Sequence, residues 1–127
     1  MESRERLSRF ILDTNILIYL MNNRLAEPLP PVHVYCCSFV TELELLSYKE
    51  LTEKDEALIR KMLTEMEVYD LNSEIKRATI LLRRKYSMKL PDAIIAATSI
   101  ITEATLMTND KRFQNISEIQ TIDAKII

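Results

Sequence analysis

Four acidic residues stand where a carboxylate could do chemistry, because each borders or interrupts an apolar segment. In chain order they are Asp13, Glu44, Asp92 and Asp110. Carboxylates that share a site raise one another's pKa unless a cation is present, and oxygen-rich sites suit Mg²⁺ or Mn²⁺. Such an ion lowers the pKa of a bound water and orients a phosphodiester for in-line attack. The pattern therefore indicates a candidate metal site with hydrolytic chemistry.

Each of these carboxylates also has a purely structural interpretation. Asp13 precedes a helical segment and suits an N-cap as well as it suits a ligand. Thr41 and Glu44 match a capping box, which would start their helix just after Thr41 and turn Glu44 onto its own backbone. Asp92 follows a proline at a helix start, where the dipole favours an acid. Asp110 suits an ordinary turn or a helix cap. Taken singly, none of the four decides between the two interpretations.

Segments of strand length alternate with segments of helical periodicity along the chain. Strands are predicted over 10–12, 32–37, 68–71, 105–108 and 119–122, and helices over about 16–22, 39–48, 52–66, 74–86 and 92–103. This order predicts the α/β class, with a small parallel sheet of four or five strands and helices on both faces in three layers. Asp13 and Asp110 would then meet at the carboxyl edge of the sheet, where ligands bind in such folds, and Glu44 and Asp92 would reach it from flanking helices.

Capping residues and apolar stripes refine the helices. The expected N-caps are Ser38, Thr52 and the pair 72–73. The helix over 52–66 is expected to bury a stripe of Leu58, Ile59, Met62 and Met66. The helix over 92–103 is apolar nearly all round and should be packed on most sides.

Composition bounds the class of protein. The chain has 127 residues, which is the size of one domain, so we expect a single domain over 1–127. No apolar run approaches the roughly 20 residues that cross a bilayer, and the N-terminus lacks a signal-type segment. We therefore expect a cytoplasmic protein that does not engage the membrane.

Residue types that are scarce or absent exclude several kinds of site. Glycine is absent, which removes the phosphate-binding loop and the dinucleotide fingerprint, so no nucleotide cofactor is expected. The single histidine, His33, and the adjacent pair Cys36 and Cys37 make a thiolate or imidazole zinc site improbable. We expect His33 to be a strand residue and both cysteines to be small buried side chains.

Four segments together resemble the PIN-domain ribonucleases, and most of all the VapC-type toxins of type II toxin–antitoxin pairs. They are Ile11-Leu-Asp13-Thr-Asn, Thr41-x-x-Glu44-Leu-Leu, Leu90-Pro-Asp92-Ala-Ile-Ile-Ala-Ala and Leu106-Met-Thr-Asn-Asp110-Lys-x-Phe113. The resemblance runs from about residue 9 to residue 120. It implies a Mg²⁺- or Mn²⁺-dependent endoribonuclease that often forms a homodimer and is neutralised by a small cognate antitoxin.

The resemblance also implies roles for individual residues. Asp13, Glu44, Asp92 and Asp110 would form the catalytic quartet, with Asp13 and Asp92 as direct metal ligands. The side chains expected to orient these carboxylates are Thr14, Asn15, Thr41, Thr108 and Asn109. Many relatives carry a further Asp where this chain has Arg112, which makes the assignment of Asp110 the weakest of the four.

Contacts with RNA must come from local basic patches, because the net charge of the chain is −2. The candidates are Arg83, Arg84, Lys85, Lys111 and Arg112, with Arg4, Arg6, Arg9 and Lys89 as further cations and Tyr86 available for stacking on a base. Alternatively, the basic residues 83–85 are solvated at the C-terminal end of their helix, where the helix dipole favours positive charge.

Three other functions remain open at this point. One is a non-catalytic RNA-binding module on the same scaffold, and another is a housekeeping nuclease of RNA processing. The third is a phosphatase with an aspartyl-phosphate intermediate, which would need a second acid where the chain has Asn15.

Overall fold

The structure is a computed structural model that describes residues 8–127. Its strands are β1 (Arg9–Leu12), β2 (Val34–Ser38), β3 (Glu67–Tyr69), β4 (Thr105–Met107) and β5 (Thr121–Ile122). Its helices are α1 (Thr14–Met21), α2 (Phe39–Leu46), α3 (Glu53–Thr64), α4 (Ser73–Tyr86) and α5 (Leu90–Thr102), with a short 3₁₀ helix over Lys111–Asn115. The predicted phosphate contacts of Arg4 and Arg6 lie outside the described residues.

The five strands form one sheet in the order β3-β2-β1-β4-β5, and every neighbouring pair is parallel. The α/β prediction is therefore confirmed. Because all strands run the same way, the residues that follow β1, β2 and β4 gather at one edge. That shared carboxyl edge positions the candidate site.

Helices cover both faces of the sheet, and consecutive strand residues face opposite layers. Ile11 and Cys36 belong to the core beneath α4 and α5, whereas their neighbours Leu12 and Cys37 belong to the core beneath α1 and α3. Both cysteines are free and fully buried, as predicted. Because both faces of the strands are buried, their sequences are short apolar runs and do not alternate between apolar and polar residues.

Helix α5 is the most buried helix of the fold, as its composition predicted. All seven residues from Ala93 to Ser99 are buried. The helix packs along α4 and against the sheet, and alanines at Ala96 and Ala97 keep its axis close to its neighbours. Because α5 is held on several sides, Asp92 in its first turn has a well-defined position.

The segment before β2 differs from its prediction. His33 lies in a bend rather than in the strand, so its assignment as a strand residue is wrong. The prolines upstream end the extended chain in a turn, in which the N–H of His33 donates to the carbonyl of Pro30 at 3.4 Å. The His33 Nδ1 accepts from the N–H of Ser8 at 3.1 Å, and its ring meets Phe10 edge-on at 5.3 Å.

The buried stripe of α3 is also rotated from its prediction. Ile59 and Leu63, four residues apart, are buried, and Met62 and Met66 pack beside them. Leu58 is 52% exposed because it lies about 100° around the helix from Ile59. None of the helices within residues 8–127 is long and apolar enough to cross a membrane.

Candidate carboxylate site

Asp13 stands directly after β1 and has two roles at once. Its N–H donates to the carbonyl of Met107 at 3.0 Å, which ties it to β4. Its Oδ1 accepts from the N–H of Thr14 at 2.8 Å, so Asp13 is the N-cap of α1. Its Oδ2 accepts from the hydroxyl of Thr108 at 2.7 Å. Capping uses one carboxylate oxygen, and the hydrogen bond from Thr108 holds the other.

The surroundings of Asp13 raise the pKa of its carboxyl group. Burial is the largest cause, and the negative charges of Asp92 and Asp110 act in the same direction. The hydrogen bonds from Thr108 and Thr14 oppose them without cancelling them. The ionised form of Asp13 is thus short of compensating positive charge.

Glu44 faces α1 rather than its own backbone. Helix α2 begins at Phe39, because the hydroxyl oxygen of Ser38 accepts from the N–H of Val40 at 3.1 Å. A capping box with a start after Thr41 is therefore wrong. The Oε1 of Glu44 instead accepts from the hydroxyl of Thr14 at 2.6 Å. That hydroxyl also lies 3.0 Å from the hydroxyl of Thr41, which is fully buried.

Asp110 follows β4 and is joined to Asp13 through one threonine. Its N–H donates to the hydroxyl oxygen of Thr108 at 3.1 Å, and the same hydroxyl donates to Asp13. The Oδ1 of Asp110 accepts from the N–H of Arg112 at 3.0 Å, which caps the 3₁₀ helix. The interpretation of Asp110 as a capping acid is confirmed, and the cap places it beside Asp13.

The guanidinium of Arg112 lies on the acids rather than in open solvent. Its Nε is 3.0 Å from both carboxylate oxygens of Asp110, and its Nη2 is 2.5 Å from Oδ2. The same Nη2 is 3.8 Å from Oδ2 of Asp92. This ion pair holds the pKa of Asp110 below its usual value. The sequence contained one signal for it, a basic residue two positions after a capping acid, which was interpreted as a phosphate contact.

Some of the residues predicted to orient the carboxylates form hydrogen bonds within the site, and others do not. Thr14, Thr41 and Thr108 form the hydrogen bonds described above. The side chain of Asn109 instead binds the backbone of Ala124, donating at 2.9 Å and accepting at 2.7 Å. Asn15 is exposed and makes no side-chain hydrogen bond within residues 8–127. A role for these two asparagines in orienting carboxylates stays a prediction.

The acids fit a divalent cation in their chemistry. All four offer only oxygen donors, and Asp13 lacks compensating positive charge. Within residues 8–127, however, no group of three or more Asp, Glu, His or Cys side chains is arranged so that it could hold a metal ion. Arg112 lies against two of the four acids and supplies positive charge there.

The predicted RNA-binding cations differ in whether their side chains already bind another group of the protein. Lys85 pairs with Glu118 at 3.2 Å, and the Nε of Arg83 donates to the carbonyl of Met88 at 3.2 Å. Arg84 and Lys111 are exposed. Arg9, also considered, pairs with Glu67 at 3.4 Å. Their contacts with RNA stay predictions.

A cavity of about 330 Å³ opens beside the acids. It lies between the α4–α5 connection and the 3₁₀ helix, and its walls include Tyr86, Lys89, Asp92, Arg112 and Phe113. The connection is held in place by Ser87, whose left-handed conformation (φ 54°) ends α4. The cavity and the carboxylate site thus share Asp92 and Arg112.

Comparisons with known proteins agree with this arrangement. The family model described as the PIN domain matches residues 10–119. A chain of a toxin–antitoxin complex from Klebsiella pneumoniae is 30% identical, with a TM-score of 0.72 over 86% of this chain and 93% of that one. A chain of VapBC-1 from nontypeable Haemophilus influenzae is 26% identical, with a TM-score of 0.75 over 91% and 97%.

A third solved structure shares the fold. It is a chain of VapBC2 from Rickettsia felis, in a complex bound to a promoter DNA fragment. That chain is 21% identical to this one, with a TM-score of 0.78 over 92% of this chain and 99% of that one. Among curated proteins, none is similar enough in sequence to count as a match.

Proposed function

The chain belongs to the PIN-domain family, and we propose that it is a Mg²⁺- or Mn²⁺-dependent endoribonuclease that acts as the toxin of a toxin–antitoxin pair. Its solved neighbours include toxin–antitoxin and VapBC complexes. The observation that carries the proposal is the position of Asp13 at the carboxyl edge of the sheet. There both of its oxygens accept hydrogen bonds, and the charges of Asp92 and Asp110 are close enough to raise its pKa.

In this proposal Asp13 and Asp92 would hold the metal ion, with Glu44 and Asp110 beside them. When bound, the ion lowers the pKa of a water and stabilises charge on the phosphodiester. Thr108 and the N–H of Thr14 orient the carboxylate of Asp13. The hydroxyl of Thr14 orients Glu44, which would act through a water rather than as a direct ligand. Asp110 contributes negative charge beside Asp13.

The phosphate backbone of RNA is bound by local cations in this proposal. Arg84 and Lys111 are exposed and carry the interaction in the first instance. Arg83 and Lys85 would take part after giving up their present partners. The ring of Tyr86 borders the cavity beside Asp92, where it is placed to stack on a base.

The partners follow from the toxin assignment. We propose a small antitoxin as the neutralising partner, a homodimer as the assembly, and the cytoplasm as the location. Light scattering of the purified protein measures the assembly. A short reading frame next to this gene that encodes a DNA-binding protein would support the antitoxin, and co-expression of the two products tests whether they bind.

The nuclease proposal is tested with Asp13→Asn and Asp92→Asn in a cleavage assay on single-stranded RNA with Mg²⁺ or Mn²⁺. We expect each variant to lose at least about 100-fold of the activity, because metal-bound water and charge stabilisation contribute several kcal/mol to such reactions. Asp55→Asn, at an exposed acid in the first turn of α3, is the matched control and should cleave normally. Full activity in either site variant would contradict the mechanism.

A non-catalytic RNA-binding or RNA-processing domain is the alternative. The observation that favours it is the ion pair of Arg112 with Asp110 and Asp92, which supplies positive charge without a metal. Thermal unfolding in millimolar Mn²⁺ separates the two, since an ion that binds the folded state raises the melting temperature. If the melting temperature does not move and no RNA is cleaved, the alternative holds.

A further inference from the structure

The guanidinium of Arg112 lies against the carboxylates of Asp110 and Asp92. We propose that Arg112 is a built-in counter-ion that competes with the divalent metal for Asp110 and Asp92, so that the metal binds only as the guanidinium withdraws. The inference rests on the proposed metal-dependent function and adds a property of this chain's own sequence. According to this inference, Arg112 lowers the affinity of the site for its metal ion.

The contact with Asp110 engages both oxygens of its carboxylate. The Nε of Arg112 is 3.0 Å from both Oδ1 and Oδ2, and Nη2 is 2.5 Å from Oδ2. Oδ1 also accepts the N–H of Arg112. An arginine that engages both oxygens of a carboxylate satisfies its charge and its hydrogen bonding together. A metal ion that uses Asp110 must therefore displace these contacts.

The contact with Asp92 is looser and is made by the same guanidinium nitrogen, Nη2. The 3.8 Å between Nη2 and Oδ2 is an ion-pair distance, too long for a hydrogen bond. Asp13 adds to the negative charge that acts on Arg112. Asp110 and Asp92 are thus within ion-pair distance of one guanidinium, and Asp13 acts on it from farther away.

The side chain of Arg112 is free to leave while its backbone stays in place. Its side chain is 67% exposed, and exposed ion pairs are weak, so breaking this one costs little free energy. The cavity of about 330 Å³ beside it offers room for the displaced guanidinium. Phe113 and Ile116 are buried and anchor the 3₁₀ helix, so withdrawal requires only rotation about side-chain bonds.

The experiment measures Mn²⁺ binding directly, without RNA, by the electron paramagnetic resonance signal of the free ion. The proteins are the wild type, Arg112→Gln, Arg112→Lys and Lys76→Gln. Lys76 is the control, because it is an exposed cation on α4 that makes no ion pair with any described acid. We expect Arg112→Gln to bind Mn²⁺ roughly two- to fivefold more tightly, the range that the loss of one exposed ion pair allows.

The controls and outcomes separate this inference from the function beneath it. Lys76→Gln should bind as the wild type does, and Arg112→Lys, which keeps the charge but loses the two-oxygen contact, should fall between wild type and Arg112→Gln. Equal or weaker binding by both Arg112 variants would overturn the inference and leave the metal site standing. If neither the wild type nor any variant binds Mn²⁺, the metal-dependent function fails and the inference fails with it.

Discussion

The hydroxyl of Thr108 donates a hydrogen bond of 2.7 Å to Oδ2 of Asp13, joining residues 95 positions apart in the chain. Asp13 follows β1 and Thr108 follows β4, so the bond closes the carboxyl edge of two neighbouring strands. Because Oδ1 is held by the N–H of Thr14, both oxygens of Asp13 are oriented. The proposed metal ligand is thus positioned before any ion arrives.

Replacing Thr108 with valine should impair cleavage in a pH-dependent way. Valine has nearly the same shape but cannot donate to Asp13, and that hydrogen bond lowers the pKa of Asp13. The acid limb of the pH–rate profile should move to higher pH. Activity on the acid limb should fall about tenfold or more, since hydrogen bonds to charged groups are worth about 1.5–3 kcal/mol.

Thr79→Val is the matched control for that variant. Thr79 is buried in α4, and its hydroxyl donates to the carbonyl of Ile75 at 2.7 Å, away from the acids. Its pH–rate profile should coincide with that of the wild type. An unchanged profile in Thr108→Val would show that the threonine does not tune Asp13.

Asp13→Asn should leave the metal-free protein at least as stable as the wild type at pH 7. The folded state raises the pKa of Asp13 above its usual value of 3.8, so the folded protein binds a proton more readily than the unfolded chain. The stability contributed by Asp13 is therefore greatest at low pH and is lost as the pH rises through the folded pKa. Asparagine has no charge to bury and keeps an oxygen for the cap.

Thermal unfolding in EDTA at pH 4 and pH 7 measures this difference. The advantage of Asp13→Asn over the wild type should be larger at pH 7 than at pH 4. A variant that melts well below the wild type at pH 7 would mean that burial does not disfavour the charge of Asp13.

Glu44→Gln should reduce cleavage while leaving the fold and the helix start intact. Glutamine keeps an oxygen that accepts from the hydroxyl of Thr14, so it removes only the negative charge. We expect a loss of about 100-fold in kcat, within the range of general acid–base catalysis. Glu42→Gln, two residues earlier on α2, is the control. Equal activity of the two variants would remove Glu44 from the mechanism.

Tyr86→Phe should destabilise the end of α4. The Tyr86 hydroxyl donates to Oε1 of Glu118 at 2.5 Å and accepts from the N–H of Ser117 at 3.3 Å. Removing it should cost about 1 kcal/mol at neutral pH, the usual net value of a hydrogen bond. Urea unfolding measures it, and Tyr48→Phe, at a tyrosine that is 69% exposed, is the control.

The same contact predicts an acid-sensitive part of the stability. The hydrogen bond from Tyr86, helped by Lys85, lowers the pKa of Glu118 to about 2. A carboxyl group with a lowered pKa contributes stability above its unfolded pKa of 4.5 and loses it as the pH falls towards 2. Wild type should therefore lose more stability than Tyr86→Phe between pH 5 and pH 2. Parallel losses would contradict the assignment.

Neither cysteine should react in the native protein. Burial raises the pKa of both Cys36 and Cys37 to about 12, so almost no thiolate is present at pH 8. Mass spectrometry after iodoacetamide treatment should show no modification in buffer and two modifications in urea. Rapid alkylation of the native protein would show that the sheet opens at β2.

Local patterns in the sequence determined the elements of this protein. Ser38, Thr52 and Asn72 cap α2, α3 and α4 as predicted, because a cap needs only a side-chain oxygen and N–H groups two or three residues away. The short apolar runs became strands buried on both faces, and the apolar segment after Pro91 became the most buried helix. Periodicity and capping depend on neighbours in the chain, so they can be read without the fold.

Only the tertiary structure decided which acids have which partners. Strands β1 and β4 pair with Leu12 opposite Met107, and this register brings the next two residues, Asp13 and Thr108, together. Glu44 had a plausible partner in its own turn, yet it binds Thr14 across the site. Arg112 turned from a candidate for phosphate binding into the cation on Asp110 and Asp92. Sequence spacing cannot determine these contacts, because they depend on strand register and on where charged side chains find compensation.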